Sequence, residues 1–196
     1  YYATLASESL VADVHGEHLQ WTEFNELLQR FRQAGCLDLD TKGRLVFSDD
    51  PSREFVNGGW LEKHVLGVCR RLAHEARIVD LAANLHVISA DGVANELDVA
   101  FTARNRLFLV ECKTRIFARK PQDIDSGARE AAVNAINKLH ALRQELAGVY
   151  GRALFVSAMR LPKADVERCK KYGISLVQAG DIQNLSLHIK QSIEHA

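Results

Sequence analysis

The stretch NELDVAFTARNRLFLVECKT, residues 95–114, sets Glu111 and Lys113 inside the apolar run LFLVECK and Glu96 and Asp98 on the segment before it. Carboxylates in apolar surroundings are costly unless they are protonated, paired or bound to a cation. Side chains alternate along a strand, so Leu109, Glu111 and Lys113 share one face while Val110 and Cys112 share the other. On the preceding segment Glu96, Asp98 and Ala100 lie on one face, with Leu97, Val99 and Phe101 opposite. If residues 103–106 close a tight hairpin, Asp98 and Glu111 meet on the same face near one end. Two readings fit this placement: a structural ion-pair cluster at a strand end, and a site that holds a metal.

The chemistry of the second reading is specific. Two carboxylates and an ammonium at the open end of an apolar sheet make an oxygen-rich pocket suited to a hard divalent cation, Mg2+ or Mn2+. Such an ion acidifies bound water and neutralises charge on a phosphoryl oxygen. Lys113 could then position the water or stabilise the pentavalent phosphorus centre. Glu62 falls on one helical face with Val65, Leu66 and Cys69, the side expected to pack on the sheet, and a carboxylate there also needs a partner. Lys113, Arg115, Arg119 and Lys120 form a basic stretch with no acid among them, either a contact surface for a phosphate backbone or a solvated loop. Asp123 and Asp125 follow and blunt its field. Glu96 reads equally as a carboxylate supporting the site or as a solvated edge residue.

The elements that must carry these residues follow from periodicity. Trp21, Phe24, Leu27, Leu28 and Phe31 make a helical stripe over 20–34 that Gly35 ends. LDLDTKGRLVF then predicts a hairpin, and a helix with such a hairpin resembles half of a winged helix. The turn-rich SDDPSREFVNGG, residues 48–59, reads as a linker. Beyond it come a helix over about 60–75, extended stretches IVDLAANLHVI, ELDVAFT and RLFLVECK, and a long helix over 126–147. The strand RALFVSA, a helix near 162–172, the strand ISLVQ and a helix over 179–194 complete the chain. The order α-β-β-β-α-β-α-β-α predicts an α/β or α+β layered domain with a central mixed sheet over 51–196, preceded by a winged-helix-like appendage over 1–50.

Composition bounds the function. With 196 residues, 47% of them apolar, and three prolines, the chain can bury a sizeable core. No apolar run approaches the ~20 residues that span a bilayer, so no membrane partner is expected. The 25 basic and 25 acidic residues balance, which argues against tight non-specific nucleic-acid binding by the chain as a whole. Four scattered cysteines without a CxxC, and eight histidines without an HxH or HExxH, give no zinc site. Reduced cysteines fit a cytoplasmic protein. The start YYATLASESL lacks the basic head and apolar core of a signal peptide. It also lacks a methionine, which reads as a processed chain or a piece cut from something longer.

Asp98, a gap of 12 residues and Glu111-Cys112-Lys113, after a helix carrying Glu62, match the PD-(D/E)XK nuclease pattern. The segments FVNGGWLEKHV, GVANELDV, LFLVECKT and NKLHALRQELAGVYGRALFVSA narrow the match. Together they resemble the nuclease domain of the CRISPR-ancillary effectors, in which a CARF domain senses cyclic oligoadenylate and switches a PD-(D/E)XK nuclease. The resemblance covers about residues 50–180, with 20–48 similar to the piece that links the two domains. It implies metal-dependent phosphodiester cleavage, chiefly nicking or degradation of single-stranded DNA or RNA, in a homodimer. Asp98 and Glu111 would be metal ligands, Lys113 the catalytic lysine, and Glu62 a further ligand or ligand orienter. Lys138 would face the site and touch phosphate, although it reads equally as a solvated lysine on an amphipathic helix. The roughly 50 residues ahead of the nuclease region are too few for a CARF domain. The chain is therefore the effector half of a longer protein or a stand-alone relative with another trigger. A restriction-type nuclease acting on duplex DNA, and a nucleic-acid-binding module that keeps the fold without catalysis, are the competing functions.

Overall fold

Apolar residues recur at helical spacing over 22–33 and at alternate positions over 37–47, and each stretch folds as its period dictates. The computed structural model describes residues 2–6, 8–88, 92–114 and 126–195, and the chain divides into two compact units, Tyr1–Trp60 and Leu61–Ala196. The first contains α1 (Tyr2–Leu5), β1 (Val11–Ala12), α2 (Thr22–Gln33), β2 (Leu37–Leu39), β3 (Leu45–Phe47) and α3 (Asp50–Glu54). Helix α2 stops where Gly35 turns left-handed at φ 71°, a conformation that only glycine adopts at little cost. The Gly35 and Cys36 amides then bond back to the carbonyls of Arg32 and Phe31. The β2–β3 turn is closed by Asp40, whose carboxylate accepts from the amides of Lys42 and Arg44 at 2.8 and 2.9 Å. The sequence predicts this helix and hairpin; β1, only two residues long, adds a third strand beside β3. Tyr2, Ala6, Leu28, Leu37, Leu45 and Phe47 form the core of this unit.

The second unit is built on a five-stranded sheet in the order β4-β5-β6-β7-β8. Helix α4 (Trp60–Leu72) enters it and buries Leu61, Val65, Val68, Cys69 and Leu72. β4 (Ile78–Ile88), β5 (Ala94–Ala103) and β6 (Arg106–Lys113) run antiparallel. The β5–β6 hairpin turns on Arg104 and Asn105, both left-handed at φ 50° and 59°, as the twist of a two-residue hairpin demands. That turn sets the register, with Ala103 opposite Arg106 and Val99 opposite Val110.

β7 (Arg152–Ser157) and β8 (Ile174–Gln178) then join parallel to β6, which requires crossovers. Helices α5 (Ser126–Ala147) and α6 (Lys163–Lys171) supply them. Along α5, Ala132, Ala135, Ile136, Leu139 and Leu142 are buried at helical spacing, and α5 packs with Leu109, Ala153 and Phe155 of the sheet. Residues 179–184 form tight 3-10 turns, with Ala179 at φ 47°, before the last helix α7 (Leu185–Glu194) begins. The result is the mixed sheet flanked by helices, in the element order read from the sequence.

Candidate active site

Because Val99 lies opposite Val110, continuing the register by one residue brings Asp98 beside Glu111. Glu111 is 4% exposed, although it is charged, because it sits on the inward face that Leu109 begins. Across the parallel pairing it lies level with Phe155, and Lys113 with Ser157, where β6 emerges from the sheet. The Ala158 amide donates to the Lys113 carbonyl at 2.8 Å, so the ladder continues to the last residue of β6 and holds Lys113 in place.

Each charged group has found a partner. Lys113 Nζ stands 2.5 Å from Glu111 Oε1. The Cys112 amide donates to Asp98 Oδ2 at 2.6 Å, tying β5 to β6 beyond their last registered pair. Glu62, half-buried on α4, lies within electrostatic reach of both Asp98 and Cys112. Lys138, half-buried on α5, donates to the Glu96 carbonyl at 2.9 Å, two residues from Asp98; the Glu96 side chain itself is exposed. Arg115, Arg119 and Lys120 lie outside the described residues.

The electrostatics follow from burial and like charge. Burial, then the charges of Glu111 and Glu62, push the Asp98 carboxyl from its ordinary 3.8 up to about 7, against the Cys112 amide and Lys113. Burial opposes the Lys113 ammonium, but the charge and hydrogen bond of Glu111, with Asp98, more than offset it. Its pKa therefore stands above the ordinary lysine value. Burial, with Asp98 and the other carboxylates, lifts the Cys112 thiol far above its usual range, so Cys112 is neither a nucleophile nor a thiolate ligand. Among the described residues no three His, Cys, Asp or Glu side chains are grouped closely enough to grip a metal ion. Glu111 is turned to Lys113 and Asp98 to the strand amide, as repelling carboxylates turn to the nearest donors.

The arrangement brings together Asp98, Glu111 and Lys113, with Glu62 near them and Lys138 held on the neighbouring strand. Sequence reasoning missed the Cys112 amide, because a backbone donor leaves no trace in residue type. It also missed the Glu96 carbonyl as the acceptor for Lys138.

The central strand of this mixed sheet thus carries a buried carboxylate and a lysine two residues apart at its emerging end. The chain belongs to the family of Card1-like endonuclease domains, whose model matches residues 49–196. Among solved structures it is similar to protein VC1899 from Vibrio cholerae, at 28% identity and a TM-score of 0.82, over 99% of this chain and 49% of that one. It is also similar to Can2 from Sulfobacillus thermosulfidooxidans, solved in complex with cyclic tetra-adenylate, at 27% identity and a TM-score of 0.75. That match covers 98% of this chain and 50% of Can2. The chain thus spans about half the length of each. A comparison with curated proteins returns no match. The resemblance drawn from the sequence, to the CRISPR-linked nuclease domains, holds.

Proposed function

We propose that this domain is a metal-dependent nuclease that hydrolyses phosphodiester bonds in single-stranded DNA or RNA, as the effector part of a CRISPR-associated defence protein. The observation that carries the reading is the group Asp98, Glu111 and Lys113 at the emerging end of β6.

The donor chemistry suits a hard divalent cation, although Glu111 and Asp98, now turned to the Lys113 ammonium and the Cys112 amide, would have to turn together to hold one. Their donors are carboxylate oxygens, and burial, with the Glu111 and Glu62 charges, raises the Asp98 carboxyl, a cost that a bound cation would relieve. Asp98 and Glu111 would hold Mg2+ or Mn2+, with Glu62 as a further ligand or orienter. Bound there, the ion would acidify water and neutralise phosphoryl charge. Lys113 keeps its proton, so it acts as a fixed positive charge beside the reacting phosphate and does not abstract a proton. Its neighbour Glu111 aims it, and the β6–β7 ladder fixes its backbone.

Lys138, Arg115, Arg119 and Lys120 would hold the substrate backbone without reading its sequence. The domain would work as a homodimer, with a sensor in the rest of a longer chain supplying the trigger. The bound cyclic tetra-adenylate of Can2 supports a cyclic oligoadenylate as that trigger. Among the described residues no helix is long and apolar enough to cross a membrane, and all four cysteines are free, which supports a cytoplasmic setting. The decisive assay incubates labelled single-stranded DNA, single-stranded RNA and duplex DNA with the protein in Mn2+, Mg2+ or EDTA. Cleavage of single strands that EDTA abolishes supports the reading, and cleavage of duplex alone moves it to a restriction-type nuclease. No cleavage with any metal, by a protein that still binds nucleic acid, would leave a binding module.

A further inference from the structure

An open groove of about 340 Å3 lies among β7, β8 and α7, within the roughly 300–1,000 Å3 range of small-ligand sites. Helix α7 and the residue after it line the groove with His188, Gln191, Ser192 and His195, spaced i, i+3, i+4 and i+7 and therefore on one helical face. Leu185, Ile189 and Ile193, the buried stripe beside that face, pin the helix down. The strands contribute Arg152 and Ser175, and no Asp or Glu is among the lining residues.

Arg152 is held for its task. Its Nη1 donates to the carbonyls of Val149 and Gly151 at 3.2 and 3.1 Å. Within reach of its charge is Arg143 of α5, whose Nη1 donates to the Gly173 carbonyl at 3.1 Å, whose Nη2 lies 3.2 Å from His140 Nδ1, and whose buried Nε has no hydrogen-bond partner. The strand can start this close because residue 151 is glycine: a Cβ there would lie 2.8 Å from Arg143 Cγ. Among the described residues neither arginine forms an ion pair. Burial, and then the Arg152 charge, lower the Arg143 pKa. A fixed guanidinium beside hydroxyl, amide and imidazole donors is the set that recognises phosphate oxygens.

The groove is remote from the Asp98 cluster. Arg152 pairs in register with Phe108, whereas Lys113 pairs with Ser157, five positions further on, or about 16 Å along the strand. We propose that this groove is a second phosphate-binding site, which takes the phosphate of a nucleotide or of a nucleic-acid strand.

The test is an NMR titration of the protein in EDTA with inorganic phosphate, adenosine 5′-monophosphate and a short thymidine oligonucleotide. The expected result is saturable movement of the His188, His195 and Arg152 side-chain signals. Arg152→Gln should bind roughly tenfold more weakly, the loss of one charge-assisted hydrogen bond. His188→Glu, a change on a half-exposed face, should weaken binding by repelling the anion, while Lys42→Ala, an exposed change in the β2–β3 turn, binds as the parent does. A much tighter oligonucleotide than mononucleotide identifies a strand as the ligand, and equal affinity identifies a single nucleotide; both support the site. Signals at the groove unmoved by all three probes, or both groove variants binding as the parent does, overturn it.

Discussion

Glu111 and Lys113 are two residues apart on one face of β6, and their side chains meet at 2.5 Å although the glutamate side chain is buried and that of the lysine is 31% exposed. The acid is sealed into the sheet and the ammonium reaches the water beyond its end. A pair this unequal behaves as a mount: the buried carboxylate holds a cation where a phosphate can reach it. Exposed ion pairs contribute little because both partners move freely, and here one partner cannot.

Replacing Lys113 with alanine removes that fixed charge. The expected loss in cleavage rate is roughly 10²–10³-fold, the effect of deleting one preorganised electrostatic donor. Circular dichroism should show the fold intact, since the Lys113 head is not packed in the core. Full activity in a folded Lys113→Ala protein would remove the lysine from the mechanism.

Glu111→Gln keeps the shape of the buried side chain and deletes its charge. Mn2+ binding, followed by calorimetry or by the EPR signal of the free ion, should be lost or sharply weakened, because a neutral amide is a poor ligand for a hard cation. Undiminished Mn2+ affinity would place the metal elsewhere.

Phe155, fully buried on β7 and level with Glu111, is the packing on which the site rests. Phe155→Ala should destabilise the protein by about 3–5 kcal/mol through the lost burial and the cavity left behind. Leu187, 52% exposed on α7, is the control, and Leu187→Ala should change stability by no more than about 0.5 kcal/mol. Chemical denaturation measures both, and equal effects would mean that the sheet is not packed as described.

How much of this was legible beforehand depended on range along the chain. The meeting of Asp98 and Glu111 follows from alternation plus a turn too short to permit another register, so counting residues suffices. Glu62 needed a helical stripe and the inference that the stripe faces the sheet. Lys138 needed the fold itself: nothing in NKL specifies a carbonyl on β5, 42 residues away, as its acceptor. The two-residue β1 carries no period at all, and the 3-10 turns ahead of α7 made the last helix read longer than it is.

Asp98 gives the domain a pH dependence opposite to that of an ordinary carboxylate. Its carboxyl titrates near 7 in the folded protein against 3.8 in an unfolded chain, so between those values the folded state holds a proton that the unfolded state has lost. Stability contributed by that proton is present in full below the unfolded value and is lost as pH rises through the folded one. In EDTA, the thermal midpoint should therefore fall as pH is raised from about 4 towards 7, and this slope should be reduced in Asp98→Asn, which carries no charge to bury. Divalent metal should reverse the trend, since it binds the ionised form and displaces the proton. Identical pH profiles for the parent and Asp98→Asn in EDTA would show that Asp98 is ionised in the folded protein, and that its neighbours carry the charge at the end of the sheet without strain.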